Sequence, residues 1–362
     1  MRELTPETSY GFDVIAFARD VLNRPLDPWQ EFVVIHACEL LEDGRPRFRK
    51  VLVIVSRQQG KTELGVVLTL YWLFIEQVAL VLGTSTKLAY AVESWEKALA
   101  HAQRVPELAD DIPPRGGIRR TNGETMLKLS TGSRYLVAAS NPEGGRSLTI
   151  DRLILDELRQ HLDYSAWDAA VPATDAVPDA QIWCLTNAGS DRSIVLNDLQ
   201  DAATSFIETG KGDERLGLFE YSAPLGSSPL DLSALVQAAP NLGRRNDVDA
   251  LLGDARRAVA KGGDLLNGFL TERMCIRVRR DVPPVWPAET WEHCRDPRSR
   301  RAGAAVLAVD VSPDRAYAAV SMAALNADGL PMGQVIRHGP GVAWMIPDIG
   351  KMVRDRSKSI LP

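Results

Sequence analysis

The chain has 362 residues, a length that accommodates two to three domains at roughly 150 residues each. Hydrophobic residues make up 45 % and charged residues 25 %, with 27 Gly and 22 Pro, which excludes collagen-like, wholly disordered and disulfide-scaffold classes. Forty-two Lys and Arg against 47 Asp and Glu leave a net charge of −5, so any contact with nucleic acid must come from local patches rather than a generally basic surface.

Residues 1–10 are polar and lack an apolar signal core. Residues 51–55 (VLVIV) form a continuous β-branched run, the pattern of a strand buried on both faces. A polar turn at 56–60 leads into a helix over about 61–76. Its run at 64–75 is too short to span a bilayer and reads as a buried helix, so no membrane partner is expected. A second strand is predicted at 78–82, ended by Gly83, then a helix over 87–104. Shorter strands at 126–129 and 134–139 flank the turn Thr131-Gly132. Apolar runs at 152–155 and 181–185 end in Asp156-Glu157 and Thr186-Asn187. Buried strands with polar ends indicate an α/β domain with a largely parallel sheet, whose ligand lies beyond the strands' carboxyl ends.

The pattern then changes. A turn-rich link at 225–229 precedes a charged helical stretch at about 231–261, and consecutive prolines at 281–287 make a linker. New strands are predicted at 304–309, 316–325 and 334–338, then a helix over about 342–356. Domains are therefore expected at 1–225, 226–290 and 291–362. Cys38, Cys184, Cys275 and Cys294 form no C-x-x-C pair, and with only five His they read as reduced thiols rather than a zinc site.

The most informative motif is Ser56-Arg57-Gln58-Gln59-Gly60-Lys61-Thr62, between a buried strand and a long helix. That setting suits a phosphate-binding loop, although Val55 stands where the usual pattern has its first glycine. Gly60 permits close backbone approach, Lys61 supplies charge to the phosphates of ATP, and the Thr62 hydroxyl can ligate Mg²⁺. The alternative is an ordinary strand–helix turn with an exposed lysine. Asp156 would hold the Mg²⁺ shell, and Glu157 would orient and deprotonate an attacking water, which makes the site hydrolytic. Thr186-Asn187 could contact the terminal phosphate or its water. Upstream, Gln30 in Pro28-Trp29-Gln30 carries an amide able to read an adenine edge, or simply begins a helix.

Together these motifs resemble the large terminase subunit of tailed bacteriophages, the motor that packages DNA. The resemblance rests on Pro28-Trp29-Gln30, the arginine-bearing loop 56–62, Gly145-Arg146-Ser147, Leu155-Asp156-Glu157 and Thr186-Asn187-Ala188. It implies a P-loop NTPase of the additional-strand, catalytic-glutamate type, a parallel sheet flanked by helices, followed by the start of a ribonuclease H-like nuclease. It further implies that Gln30 contacts adenine, that Arg57 senses the terminal phosphate in cis, that Arg146 reaches a neighbouring subunit's ATP, and that Thr186 with Asn187 couples hydrolysis to movement. Asp310, at the end of an apolar strand, matches the first acidic motif of the nuclease and would hold its metal. The family's further carboxylates come later, so the nuclease is expected to be incomplete, with Asp314, Asp328, Asp348 and Asp355 as surface charges.

The implied partners are double-stranded DNA, a small terminase subunit and a portal protein carrying a homo-oligomeric ring, in the host cytoplasm. Basic segments at 45–50, 115–120, 277–280 and 298–301 are candidate backbone contacts. Two other readings are a helicase-like ATPase, which needs a second RecA-like domain that residues 200–362 do not suggest, and an assembly protein with a degenerate ATP site.

Overall fold

In a computed structural model, the described residues are 3–85, 87–121, 124–139, 148–278, 288–312, 315 and 317–354. The chain forms two compact units, divided between residues 280 and 281. The first opens with α1 (Gly11–Ala16), a π-helical turn (Phe17–Val21) and α2 (Pro28–Ala37), followed by β1 (Lys50–Ile54). Next come α3 (Lys61–Phe74), β2 (Leu80–Ser85), α4 (Leu88–Arg104), α5 (Pro106–Asp110), β3 (Ile118–Thr121), β4 (Glu124–Lys128) and β5 (Arg134–Ala139). Then follow β6 (Arg152–Asp156), α6 (Ser165–Ala170), β7 (Gln181–Thr186), α7 (Ile194–Thr209) and β8 (Leu216–Glu220). Three helices, α8 (Leu232–Ala238), α9 (Val248–Lys261) and α10 (Gly263–Glu272), form a helical lid with its own core of Ala234, Leu235, Leu251, Ala255 and Phe269.

The eight strands make one sheet in the order β3-β4-β5-β2-β6-β7-β1-β8. The six from β5 to β8 are parallel, and β3 and β4 add an antiparallel edge. Side chains alternate along β1, as a strand requires. Val51, Val53 and Val55 pack with α1 to α4, while Leu52 and Ile54 pack on the other face with Val195, Leu196 and Ala203 of α7. Every central strand is thus apolar on both faces, which explains the unbroken hydrophobic runs.

The register places the functional strand ends together: Ile54 pairs with Thr186, and Leu185 with Asp156. The predicted strand at 78–82 starts later and runs through Gly83 to Ser85. Gly83 belongs inside it because a Cβ there would lie 2.8 Å from the Tyr135 hydroxyl. The predicted stretch at 231–261 is broken between α8 and α9, where Asn241 and Gly243, the latter at φ +78°, turn the chain under the loop after β1. Edge strands β3 and β8 escaped the sequence reading because short half-polar edges carry little periodic signal, and helix α7 escaped it as well.

The second unit comprises α11 (Ala288–His293), β9 (Arg301–Val311), β10 (Tyr317–Asn326), β11 (Pro331–Pro340) and α12 (Met345–Arg354). Its strands are antiparallel with β10 central, and Ala318, Val320 and Met322 of β10 are buried. All three predicted strands are present; β9 and β11 are longer than expected, and β10 has the expected length shifted by one residue. The proline-rich segment 281–287, Asp314 and Asp355 lie outside the described residues. Among the described residues, no helix is long and apolar enough to cross a membrane.

Helix α1 crosses α2 at Gly11, where a Cβ would overlap the Val34 carbonyl backbone. Gly11→Ala is therefore expected to destabilise the first unit by about 1–3 kcal/mol. Denaturant unfolding measures this, and an unchanged midpoint would contradict the close helix approach.

Candidate active site

The loop after β1 makes a turn that its own residues cannot stabilise alone. Gln58 at φ +63° and Gly60 at φ +96° are both left-handed, and Gly60 caps α3. Each carbonyl from Val55 to Gly60 is engaged by a protein donor. Lys61 Nζ donates to Val55 (2.9 Å) and Ser56 (3.0 Å), and Gln59 Nε2 to Arg57 (3.2 Å). Asn246 Nδ2 reaches Gln58 (3.4 Å), and Trp29 Nε1 (3.1 Å) and Asn241 Nδ2 (2.9 Å) both reach Gln59. Gln30 Nε2 donates to Gly60 (2.9 Å). A helix also leaves its first N–H groups without intrahelical partners. The loop and the start of α3 are therefore saturated in acceptors and rich in donors, which is the electrostatic character of an anion site.

Residues 27–30 and 241–246 supply this scaffold. The Asp27 N–H donates to Gln30 Oε1 (2.7 Å), so both ends of the Gln30 amide are engaged inside the protein. Gln30 thus lies against this loop, as a brace for it. Buried Asp27 accepts from Asn241 Nδ2 and Arg245 Nε, each at 2.8 Å, which ties the lid to the same point.

Asp156 and Glu157 close β6 beside this loop. Glu157 has φ +57°, an uncommon conformation for a non-glycine residue. Its N–H is held by the Leu185 carbonyl and Asp156 Oδ1, each at 2.9 Å. Arg159 Nε binds Glu157 Oε2 at 3.0 Å, and the Arg159 N–H donates to Thr186 Oγ1 at 3.1 Å. Thr186 Oγ1 in turn donates to the Asn187 carbonyl at 2.8 Å. The side-chain amide of buried Asn187 and the hydroxyl of buried Ser56 find no protein partner.

Burial lowers the Lys61 pKa, opposed by the neighbouring Cys275, Glu157 and Asp156. Burial, then the Glu157 charge, pushes the Asp156 carboxyl up to about 6, opposed by Lys61. Thr62 and Asp156 line one cleft with Thr84 and Tyr135, so a hydroxyl and an undercompensated carboxylate face the same space. That donor set fits a hard divalent cation.

The fold therefore gathers Ser56, Arg57, Gln58, Gln59, Gly60, Lys61, Thr62, Asp156, Glu157, Thr186 and Asn187 at the carboxyl ends of β1, β6 and β7, with Gln30 behind the loop. Gly145, Arg146 and Ser147 lie outside the described residues. Asp310 is exposed on β9 of the second unit. Among the described residues, no group of three or more His, Cys, Asp or Glu stands close enough to hold a metal ion. The sequence reading missed Arg159, Asn241 and Glu272. Arg159 follows Glu157 by two residues and was within reach of local inspection; the other two carry no local signal. The basic segment 45–50 is largely committed internally: Arg45 pairs with Asp43, Arg47 with Glu39, Arg49 with Asp175 and Lys50 with Asp213.

The raised Asp156 pKa has a consequence for stability. Folded Asp156 retains a proton between about pH 4 and 6 that the unfolded chain has already released, so its contribution to folding weakens as pH rises through that window and levels off above it. Asp156→Asn should then stabilise the nucleotide-free protein at about pH 7.5 by roughly 1–3 kcal/mol. The advantage should vanish near pH 4 in thermal melts; an advantage independent of pH would refute the assignment.

No protein-family model and no curated protein matches the chain. Solved structures similar to it include the bacteriophage HK97 large terminase, with a TM-score of 0.65 and 17 % identity over 96 % of this chain and 71 % of that one. They also include a mutant ATPase domain from a Thermus phage large terminase, with a TM-score of 0.51 and 13 % identity over 72 % of this chain and 97 % of that domain. This likeness bears out the resemblance read from the motifs, and at these identities it is a likeness of fold: the chain is built as phage large terminases are.

Proposed function

We propose that the chain is the ATP-hydrolysing motor of a phage DNA-packaging machine, a large terminase subunit. The observation that carries this reading is the donor-rich loop with Lys61 at its base, facing Asp156 and Glu157 at the carboxyl ends of β1 and β6. The shared fold with two large terminases supports it.

Lys61 and the first N–H groups of α3 bind the phosphates of ATP. In the resting site Lys61 Nζ rests on two loop carbonyls, and phosphate oxygens are the stronger acceptors that would draw it away. Thr62 and Asp156 would hold Mg²⁺, which when bound neutralises phosphate charge. Glu157 orients a water and accepts its proton. Arg57 adds positive charge at the terminal phosphate, and Arg146 would do so for a neighbouring subunit. Thr186 joins the Glu157 turn through the Arg159 N–H, a direct route from hydrolysis to the core of the sheet. Gln30 would read adenine only by exchanging a bond it now makes to the loop or to Asp27.

Translocation of double-stranded DNA into a procapsid, a ring on a portal protein, a small terminase partner and action in the host cytoplasm complete the proposal. The second unit is read as the beginning of a ribonuclease H-like nuclease, with Asp310 as its first carboxylate.

Glu157→Ala and Lys61→Ala test the reading. ATP turnover should fall about 10²- to 10⁴-fold in Glu157→Ala with nucleotide binding retained. Lys61→Ala should lose binding as well. Double-stranded DNA should raise turnover of the unsubstituted chain. Equal turnover in all three proteins would refute the assignment.

A further inference from the structure

The side chains beside the phosphate loop form an alternating chain of charge that ends in the lid. Glu272, the last residue of α10, uses both carboxylate oxygens: Oε2 accepts from Arg57 Nη1 and Oε1 from Arg159 Nη2, each at 3.0 Å. Arg159 simultaneously holds Glu157 through Nε. The Arg57 N–H donates to the Glu272 carbonyl at 2.9 Å, so side chain and backbone fasten the lid to the loop at one residue. Burial raises the Glu272 carboxyl, but hydrogen bonds from the two guanidinium groups outweigh it and hold it below its ordinary range.

Resting on the ATPase reading of this site, we propose that Glu272 is an internal counter-anion: it occupies Arg57 and Arg159 until the phosphates of a nucleotide displace it, releasing the end of the lid. The chemistry is an exchange of anions on a guanidinium. Arg57 is half exposed and holds Glu272 through one nitrogen, and phosphate oxygens offer its guanidinium a forked acceptor with more charge. Once Arg57 leaves, Arg159 is the cationic partner of Glu272 among the described residues, and Arg159 divides itself between Glu272 and Glu157. Nucleotide arrival thereby reaches both the water-activating carboxylate and the lid through one residue. Glu272 acts here as a positioning residue, through the two arginines.

The test is calorimetric titration of the full chain with Mg²⁺ and a slowly hydrolysed ATP analogue. Glu272→Gln removes the competing charge and retains the shape. It should bind the analogue about three- to tenfold more tightly, the range one charge-assisted contact supplies. Glu272→Asp should return the affinity toward that of the unsubstituted protein. Hydrogen exchange on the unsubstituted chain gives a second readout that needs no variant: amides at the end of α10 should exchange faster when the analogue binds. Equal or weaker binding by Glu272→Gln, or unchanged exchange at α10, overturns the proposal. So does equal tightening in Asp254→Asn, which instead loosens the lid's pairs with Arg257 and Arg273. Absence of any nucleotide binding by the unsubstituted chain overturns the ATPase reading and this proposal together, whereas binding indifferent to residue 272 overturns this proposal alone.

Discussion

The backbone of residues 55–60 leaves the ladder of β1 before α3 can satisfy it, and the organisation of the site follows from that shortage. Five consecutive carbonyls, Val55 to Gln59, take donors from Lys61, Gln59, Trp29, Asn241 and Asn246, and the Gly60 carbonyl takes Gln30 as well as the Leu64 N–H of α3. A buried carbonyl without a partner is costly, so these donors hold the loop in one conformation. What remains without a hydrogen-bonding carbonyl is the set of N–H groups at the start of α3, with the buried Lys61 ammonium beside them. The donor-rich, anion-accepting character of the loop is thus a consequence of how it is supported rather than an addition to it.

The same demand explains why the lid belongs to the first unit. Asn241 and Asn246 lie between α8 and α9, and they brace the loop as directly as Trp29 and Gln30 do. Buried Asp27 links the two braces through Asn241 and Arg245. Two more lid carbonyls, Ala238 and Glu272, accept from the Ser56 and Arg57 N–H groups. Movement of the lid must therefore disturb the loop after β1, and a ligand at that loop would be felt by the lid.

Charge around the site is balanced unevenly. Arg57, Glu272, Arg159 and Glu157 neutralise one another in sequence, whereas Asp156 stands beside Glu157 with buried Lys61 as its compensating cation. Carboxylates crowded at a strand end cost stability without a ligand, a common property of sites organised for chemistry rather than for the resting fold. The left-handed backbone of Gln58 and Glu157 belongs to the same category of local cost.

Sequence alone determined the strand–loop–helix unit at 51–74 and the buried strands ending in Asp156-Glu157 and Thr186-Asn187. Those features are local: an apolar run, a glycine at a helix start, a carboxylate at a strand end. Tertiary structure alone decided how they meet. The order that sets β1 between β7 and β8 is invisible to periodicity, since every central strand carries the same apolar pattern. The engagement of Gln30 by the loop depends on where α2 packs. The contact of Arg57 with Glu272 spans 215 residues of sequence, and no pattern near either residue announces it. Hydrophobic periodicity records which face of an element is buried; the partner on that face is chosen by topology and by the hydrogen-bonding needs of backbone that has left its ladder.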